Sequence, residues 1–396
     1  MNDARSKWRP RGALSWSLTI IGSALAAVFT LALIYMLHRA DYDGVGVLGF
    51  YALMFAPQLL PIGLVALLVA IWMWWKRAPL PAVLFAVITL MAIPMSLVPT
   101  IAMLRMARQY NVSVSFASAL LPDVTLGGVQ RDKSIRYATV DGVDLMLDVW
   151  QADNFDASEL HPAMIRLHGG AWIAGTRSDL PAWNTWLNQL GYQVFDVEYR
   201  MPPPARWRDE VADVKCAMGW ISAHAKQYSI DSNRISILGY SAGGHLAMLA
   251  AYSMGDARSP PSCDVGPVKV RTVVNIYGPS DLALGYYSGG SLRFSQNAMN
   301  LFLGGPPEQY PDRYRDMSPI TYINVTTPPT ITLLGTSDRI VSVNQAEVLT
   351  QKLQAAGVEH ETYLLPATDH GFDANWSSLS AQFARAKVLA FLQRHD

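Results

Sequence analysis

Charge is what this sequence has least of. Asp, Glu, Lys and Arg together make up 16% of its 396 residues, against about a quarter in an ordinary soluble domain. Only ten of the first 104 residues are charged, against 52 of the remaining 292, so two kinds of text are joined in one chain. Formal net charge is zero and no basic block of useful length occurs, which excludes nucleic acid as an expected partner. Cysteine is nearly absent as well. Cys216 and Cys263 form no metal-spaced cluster and no disulfide framework, and the chemistry read below calls for neither a metal nor an organic cofactor. Cys216 falls in a helical pattern and reads as core, Cys263 in a Pro-rich loop. A bond between them stays open, because spacing does not reveal Cα separation.

What fills the first quarter is three uncharged runs, Ala13–Leu37, Gly44–Trp75 and Ala78–Leu104. At 1.5 Å rise per residue each is long enough for a hydrocarbon core about 30 Å thick. The first exceeds the apolar region of a signal peptide, usually about 7–15 residues, and two more come after it, which argues against cleavage. Three such runs also argue against a buried hairpin of a soluble protein. The expectation is a membrane domain over residues 1–110 with helices at about 13–37, 45–75 and 78–104. Trp72, Trp74 and Trp75 beside Lys76 and Arg77 resemble an interfacial belt with its basic anchor. Arg5, Lys7, Arg9 and Arg11 in the tail, and Lys76 and Arg77 in the second loop, outweigh Arg39 in the loop His38–Asp43. Positive-inside bias then sends everything after the third span to the outer (periplasmic or extracellular) side. Arg105 and Arg108 count against this, and a re-entrant third run would reverse it.

A linker over 111–130 leads into different text. IRYATVDGVDLMLDVWQ alternates around Asp141-Gly142 and reads as a hairpin. Short apolar runs at Ala163–Leu167, Tyr192–Val197, Arg234–Tyr240, Val270–Tyr277, Thr330–Leu334 and Glu361–Leu365 alternate with helical patterns to the end of the chain. Strand–helix alternation predicts an α/β unit over 131–396, a mostly parallel sheet flanked by helices. Pro279–Thr327 interrupts the pattern and is expected to form a small cap insertion.

The stretch Arg234–Tyr252 carries the chemistry. Ile235–Leu238 is a buried strand, Gly239-Tyr240-Ser241-Ala242-Gly243 a G-x-S-x-G turn, and the residues after it have helical spacing. In isolation the motif is weak; between a strand and a helix it is the setting of a nucleophile elbow. Ser241 needs a base. Among the histidines, His370 in Ala-Thr-Asp-His-Gly-Phe-Asp stands in the loop after the last strand, at a carboxyl end. Asp338, in Thr336-Ser337-Asp338-Arg339 after another strand, is the expected carboxylate, and gives the chain order Ser, Asp, His. Asp281 is its rival, whereas Asp369 adjoins His370 and should point elsewhere. An oxyanion hole requires amide donors. These are expected from Ala242 at the elbow and from the loop His168–Trp172, chiefly Gly170 and Ala171, with Gly169 possible. His168 reads as a brace for that loop.

With these residues in view, a family resemblance can be stated. His-Gly-Gly-Ala-Trp, Gly-Tyr-Ser-Ala-Gly-Gly-His-Leu-Ala, the Asp338 loop and Asp-His-Gly-Phe resemble the hormone-sensitive-lipase-type branch of the α/β-hydrolases, closest to its acetylxylan/feruloyl esterases and carboxylesterases. Glu198-Tyr199-Arg200-Met201-Pro202, ahead of a helix containing Asp213, is similar too. The resemblance spans about residues 131–396 and leaves the membrane segment outside. It implies a serine hydrolase of small-molecule or lipid esters. Ala171 stands where many members have a third glycine, and Tyr240 where an acidic residue is common. Both variants also occur in formamidase-like and methylesterase-like relatives, so the substrate class stays open. An amidase or acyltransferase with the same triad, and a membrane sensor that only binds a ligand, are the alternatives. Oligomeric state is not legible.

Overall fold

The computed structural model describes residues 8, 10, 12–38, 46–124, 133–177, 179–203 and 207–395. Arg5, Lys7, Arg9, Arg11 and Arg39, on which the orientation rests, and the linker end 125–130 lie outside them. By their contacts the residues group into two compact units. One comprises Met1–Asp123 with Leu365–Phe383, the other Val124–Leu364 with Ala384–Asp396.

The first unit begins with helix α1 (Ala13–His38), followed by α2 (Val47–Met54), α3 (Ala56–Trp75) and α4 (Pro79–Gln109). Among the described residues, three helices, Ala13–Leu37, Ala56–Trp75 and Pro79–Gln109, are long and apolar enough to cross a membrane. The second apolar run is not one helix. Pro57 has no N–H to continue the ladder, and the chain breaks at Phe55 before restarting with Pro57 in the first turn of α3. The third helix runs on to Gln109 rather than ending at 104, and its 31 residues span about 46 Å. Helices α3 and α4 pack through small residues. A Cβ on Gly63 would lie 2.9 Å from the Ile93 side chain and 3.2 Å from Ala92, while Ala66, Ala70 and Ala92 are buried beside Phe85 and Ile88. Without a hydrophobic drive between helices in lipid, close backbone approach is what makes such a contact favourable. Leu64, Val65, Leu68, Leu90 and Val98 are exposed.

After α4 comes α5 (Phe116–Leu120), capped by the Ser115 hydroxyl, which accepts from Ser118 N. This segment binds residues 375–382 of the same unit. Ser115 N donates to Gln382 Oε1 at 2.7 Å, Trp376 N to Asp123 O at 2.8 Å, and the Ser377 hydroxyl to Leu121 O at 2.8 Å.

The second unit is built on a sheet of eight strands: β1 (Lys133–Val140), β2 (Val143–Trp150), β3 (His161–Leu167), β4 (Gln193–Val197), β5 (Ile230–Tyr240), β6 (Val273–Ile276), β7 (Thr330–Gly335) and β8 (His360–Leu365), in the order β1-β2-β4-β3-β5-β6-β7-β8. Asp141 and Gly142 both take positive φ, as a two-residue hairpin turn requires, and β1, β2 and β4 pair antiparallel. From β4 through β3, β5, β6 to β7 the pairing is parallel. Every residue of β3, β4, β6 and β7 is buried, which is why these strands read as continuous apolar runs. The connecting helices are α6 (Ala182–Gln189), α7 (Asp209–Ala223), α8 (Ala242–Tyr252), α9 (Leu282–Tyr287), α10 (Leu292–Leu303), α11 (Pro311–Asp316), α12 (Asn344–Ala355) and α13 (Leu379–His395). The expected mostly parallel sheet with helices around it, preceded by apolar helices, is what the chain builds.

Register aligns the carboxyl ends of the central strands. Leu167 pairs with Gly239, Gly239 with Asn275, and Ile276 with Leu333. The loops beginning at His168, Ser241, Tyr277 and Thr336 therefore leave from one edge, where ligands bind in sheets of this kind. Cys216 of α7 and Cys263 are disulfide-bonded, with Cα atoms 5.4 Å apart.

Candidate active site

At the end of β5 the chain turns through Ser241, whose φ is 56° and ψ −124°. A non-glycine residue held there is strained by about 1–3 kcal/mol, and such strain gathers at functional sites. The neighbours impose it. A Cβ on Gly239 would lie 2.1 Å from the Gly243 carbonyl oxygen, and one on Gly243 would lie 2.3 Å from the carbonyl oxygens of Leu167 and His168. Only glycines let α8 start so close to β5 and β3. Ser241 N donates to Ile276 O at 2.9 Å, which pins the turn to the next strand.

The loop after β3 is equally constrained. Gly170, Ala171 and Trp172 all have positive φ, and a Cβ on Gly170 would sit 1.9 Å from the Ala174 carbonyl oxygen. Ile173 N and Ala174 N both donate to Gly170 O, closing the turn. The amides of Gly170, Ala171 and Ala242 have no backbone acceptor among the described residues. Ala242 is the first residue of α8, where N–H groups have no intrahelical partner.

Two buried histidines brace this loop. His168 stacks on Tyr199 with ring centres 4.3 Å apart, and the Tyr199 hydroxyl donates to His168 O at 2.8 Å. His245, one turn beyond Ser241 on α8, accepts at Nδ1 from Trp172 Nε1–H (3.1 Å) and donates from Nε2 to Met317 O (2.7 Å). The Trp172 ring also stacks on Phe302 of α10, with centres 5.0 Å apart. Burial pulls both imidazoles down to about 4, partly offset by hydrogen bonds to the Gly169 and Met317 carbonyls respectively. Both rings are therefore uncharged near neutral pH.

Ser241, Ala242, Ala171 and Trp172 line one cavity of about 30 Å³. The rest of its wall is mostly apolar, with Phe294, Ala298 and Met299 of α10 and Ile340 and Val341 of the Asp338 loop, and Ser295, Ser342 and Gln345 as its polar members. The Asp338 carboxylate is buried, and its Oδ1 accepts from Ile340 N (2.9 Å) and Val341 N (2.8 Å). The rival carboxylate is likewise bound by backbone, Asp281 Oδ1 capping α9 by accepting from Leu284 N at 3.0 Å. Asp369 Oδ1 accepts from His370 N at 2.8 Å. Thus Ser241, Ala242, Gly169, Gly170, Ala171 and Asp338 belong to the second unit, and His370 to the first.

Two groups escaped the sequence reading. His245 was left without a role, although its i, i+4 spacing from Ser241 puts both on one face of α8. Arg166 of β3 and Asp196 of β4, an ion pair at 2.7 Å with both side chains fully buried, lie within runs that read simply as apolar strands. Arg166 also reaches the Tyr240 hydroxyl at 3.3 Å, the residue before Ser241.

Comparison with known proteins agrees with this architecture. The chain is 32% identical over 248 residues to a Mycobacterium tuberculosis protein named probable carboxylic ester hydrolase LipM, covering 61% of this chain and 56% of that one. It is 30% identical over 253 residues to esterase LipC of the same organism, covering 63% and 62%. The chain thus spans about three-fifths of the length of these curated relatives. A propionate-bound esterase of Thermogutta terrifontis shares the fold, with a TM-score of 0.57 at 22% identity, over 66% of this chain and 93% of that one. The family model BD-FAE matches residues 147–353, more than half the chain and the whole stretch from β2 through the Ser241 elbow and the Asp338 loop into α12, and the protein belongs to that family.

Proposed function

We propose that this protein is a membrane-anchored serine hydrolase that cleaves carboxylic esters. Residues 1–110 form its membrane domain, 131–396 its hydrolase domain, and 279–327 a cap. The observation that carries the reading is the strained Ser241, which lines one cavity with Ala171 and Ala242; their amides and that of Gly170 have no backbone acceptor among the described residues. The Ser241 hydroxyl oxygen bonds to the acyl carbon while its proton passes to the His370 ring. Those three amides, with Gly169 allowing close approach, stabilise the oxyanion. Asp338 orients His370. The imidazolium then protonates the leaving alcohol, and water, deprotonated by the same ring, releases the acid from the acyl-enzyme.

A cavity of about 30 Å³ beside Ser241 holds roughly two waters, which suits a short acyl group. Turnover of p-nitrophenyl esters is expected to be greatest for acetyl or propionyl and to fall at least about tenfold by octanoyl, since each methylene left outside forfeits about 0.8 kcal/mol. A fluorophosphonate should label Ser241. Labelling elsewhere, or palmitoyl esters turning over faster than acetyl, would overturn the respective part of this reading.

The Cys216–Cys263 bond supports an outward-facing hydrolase, because disulfides persist in oxidising compartments. Alkaline phosphatase fused after Asp396 is expected to be active; an inactive fusion, with a cytoplasmic reporter active at the same point, would place the domain inside.

A further inference from the structure

The loop that bears His370 is held by the apolar helices. Pro57 supplies no N–H for the Leu53 carbonyl, and Gln58 N turns to Phe55 O, so the break at Phe55 strands the last carbonyls of α2. The Phe55 amide still donates to Tyr51 O, at 2.9 Å. Met54 O accepts from Asn375 Nδ2 at 3.2 Å, and Asn375 is fully buried, five residues beyond His370. On the other side of His370, the Thr368 hydroxyl meets Ser380 Oγ at 2.8 Å and Met103 Sδ of α4 at 3.7 Å. Between them lies Gly371, with φ of 63°. Leu53 and Met54 line a small cavity with Thr368, Asp369, His370 and Phe372. All of these residues lie in the first unit.

We propose that the membrane helices are part of the hydrolytic apparatus: the proline-made break between α2 and α3 is a dock for the His370 loop, and Asn375 is the positioning residue that fastens it. The proposal rests on His370 being the base of the triad. An anchor alone would need no broken helix, and a loop held only by its own chain would need no amide aimed at a foreign carbonyl. Fastenings at Thr368, two residues before the imidazole, and at Asn375, five after it, hold its position toward the tolerance that general-base catalysis demands, since about 1 Å of misplacement can cost on the order of 10²-fold in rate.

The test uses the full chain in detergent. Asn375→Asp keeps the shape but removes the donor, and Pro57→Ala restores the N–H at the break, so the helix reclaims its carbonyls. Each is expected to lower kcat for p-nitrophenyl acetate about 10–100-fold, to change KM less than about threefold, and to move the acid limb of kcat/KM, which reports the base. The double variant should lose no more than the worse single, because both act on one fastening. Asn375→Gln, which keeps the amide, should recover part of the rate. His370→Ala separates the two readings. If it retains activity, the triad itself fails. If it is inactive while Asn375→Asp and Pro57→Ala keep wild-type kcat and pH profile, the dock alone is refuted. Losses that add in the double variant with an unmoved acid limb would mean general destabilisation, and would refute it too.

Discussion

Ser241→Ala is expected to lower kcat for p-nitrophenyl acetate by about 10⁴–10⁶-fold, the range for losing the nucleophile of a triad that works as a unit. The substitution removes one oxygen and little else. The turn is held by backbone bonds, Ser241 N to Ile276 O at 2.9 Å and His245 N to Ser241 O at 3.0 Å, and alanine keeps both. Glycines at 239 and 243 set the close approach of β5 and α8 regardless of the side chain at the apex. Melting temperature should therefore stay within a few degrees of wild type, and fluorophosphonate labelling should vanish. Residual activity above about a tenth of wild type, with the fold intact, would remove Ser241 from the mechanism. The amides of Gly170, Ala171 and Ala242 would remain in the variant, so substrate binding should change far less than turnover.

What could be read in advance was local. The elbow announces itself because a strand, a turn that tolerates no Cβ at 239 and 243, and a helix must succeed one another in sequence. Strands β3, β6 and β7 were legible because burial on both faces leaves continuous apolar runs. What was hidden depends on partners far apart in the chain. His245 gains its role from Trp172, 73 residues earlier, and the Cys216–Cys263 bond from a separation of 47. The break at Phe55 was obscured because hydropathy is blind to it: Gly44–Trp75 is apolar throughout, and only the missing N–H of Pro57 divides it. Residues 365–383 read as the tail of the hydrolase, since sequence shows adjacency to β8 but not the hydrogen bonds to Met54, Ser115 and Asp123. The buried charges were invisible for a related reason, as a strand pattern does not tell an inward arginine from an outward one.

That buried pair supplies the largest expected effect on stability. Arg166 Nη1 donates to Asp196 Oδ2 at 2.7 Å and to Asn184 Oδ1 at 2.9 Å, while Asn184 Nδ2 donates to Asp196 Oδ2 at 2.8 Å. Arg166 and Asp196 face each other across adjacent parallel strands, and neither is exposed. Burial pushes the Asp196 carboxyl up, and Arg166 and Asn184 pull it back. Arg166→Met removes the opposing charge and leaves the carboxylate in the core, which is expected to destabilise the full chain in detergent by about 3–5 kcal/mol near pH 8. The pH dependence fixes the cause. Without Arg166 the folded-state acid titrates still higher, above its unfolded value near 4. Between those two values the folded chain binds the extra proton, so stability falls as pH rises, at up to about 1.4 kcal/mol per pH unit. The deficit should therefore be smaller at pH 5.5 than at pH 8.5. Arg166→Met with Asp196→Leu, which leaves no charge to strand, should return to within about 2 kcal/mol of wild type and lose the added pH dependence. Chemical denaturation followed by tryptophan fluorescence reads both. Equal deficits in the single and double variants at both pH values would show that Arg166 matters through its packing, and would remove the ion pair as the brace beneath Tyr240 and the nucleophile turn.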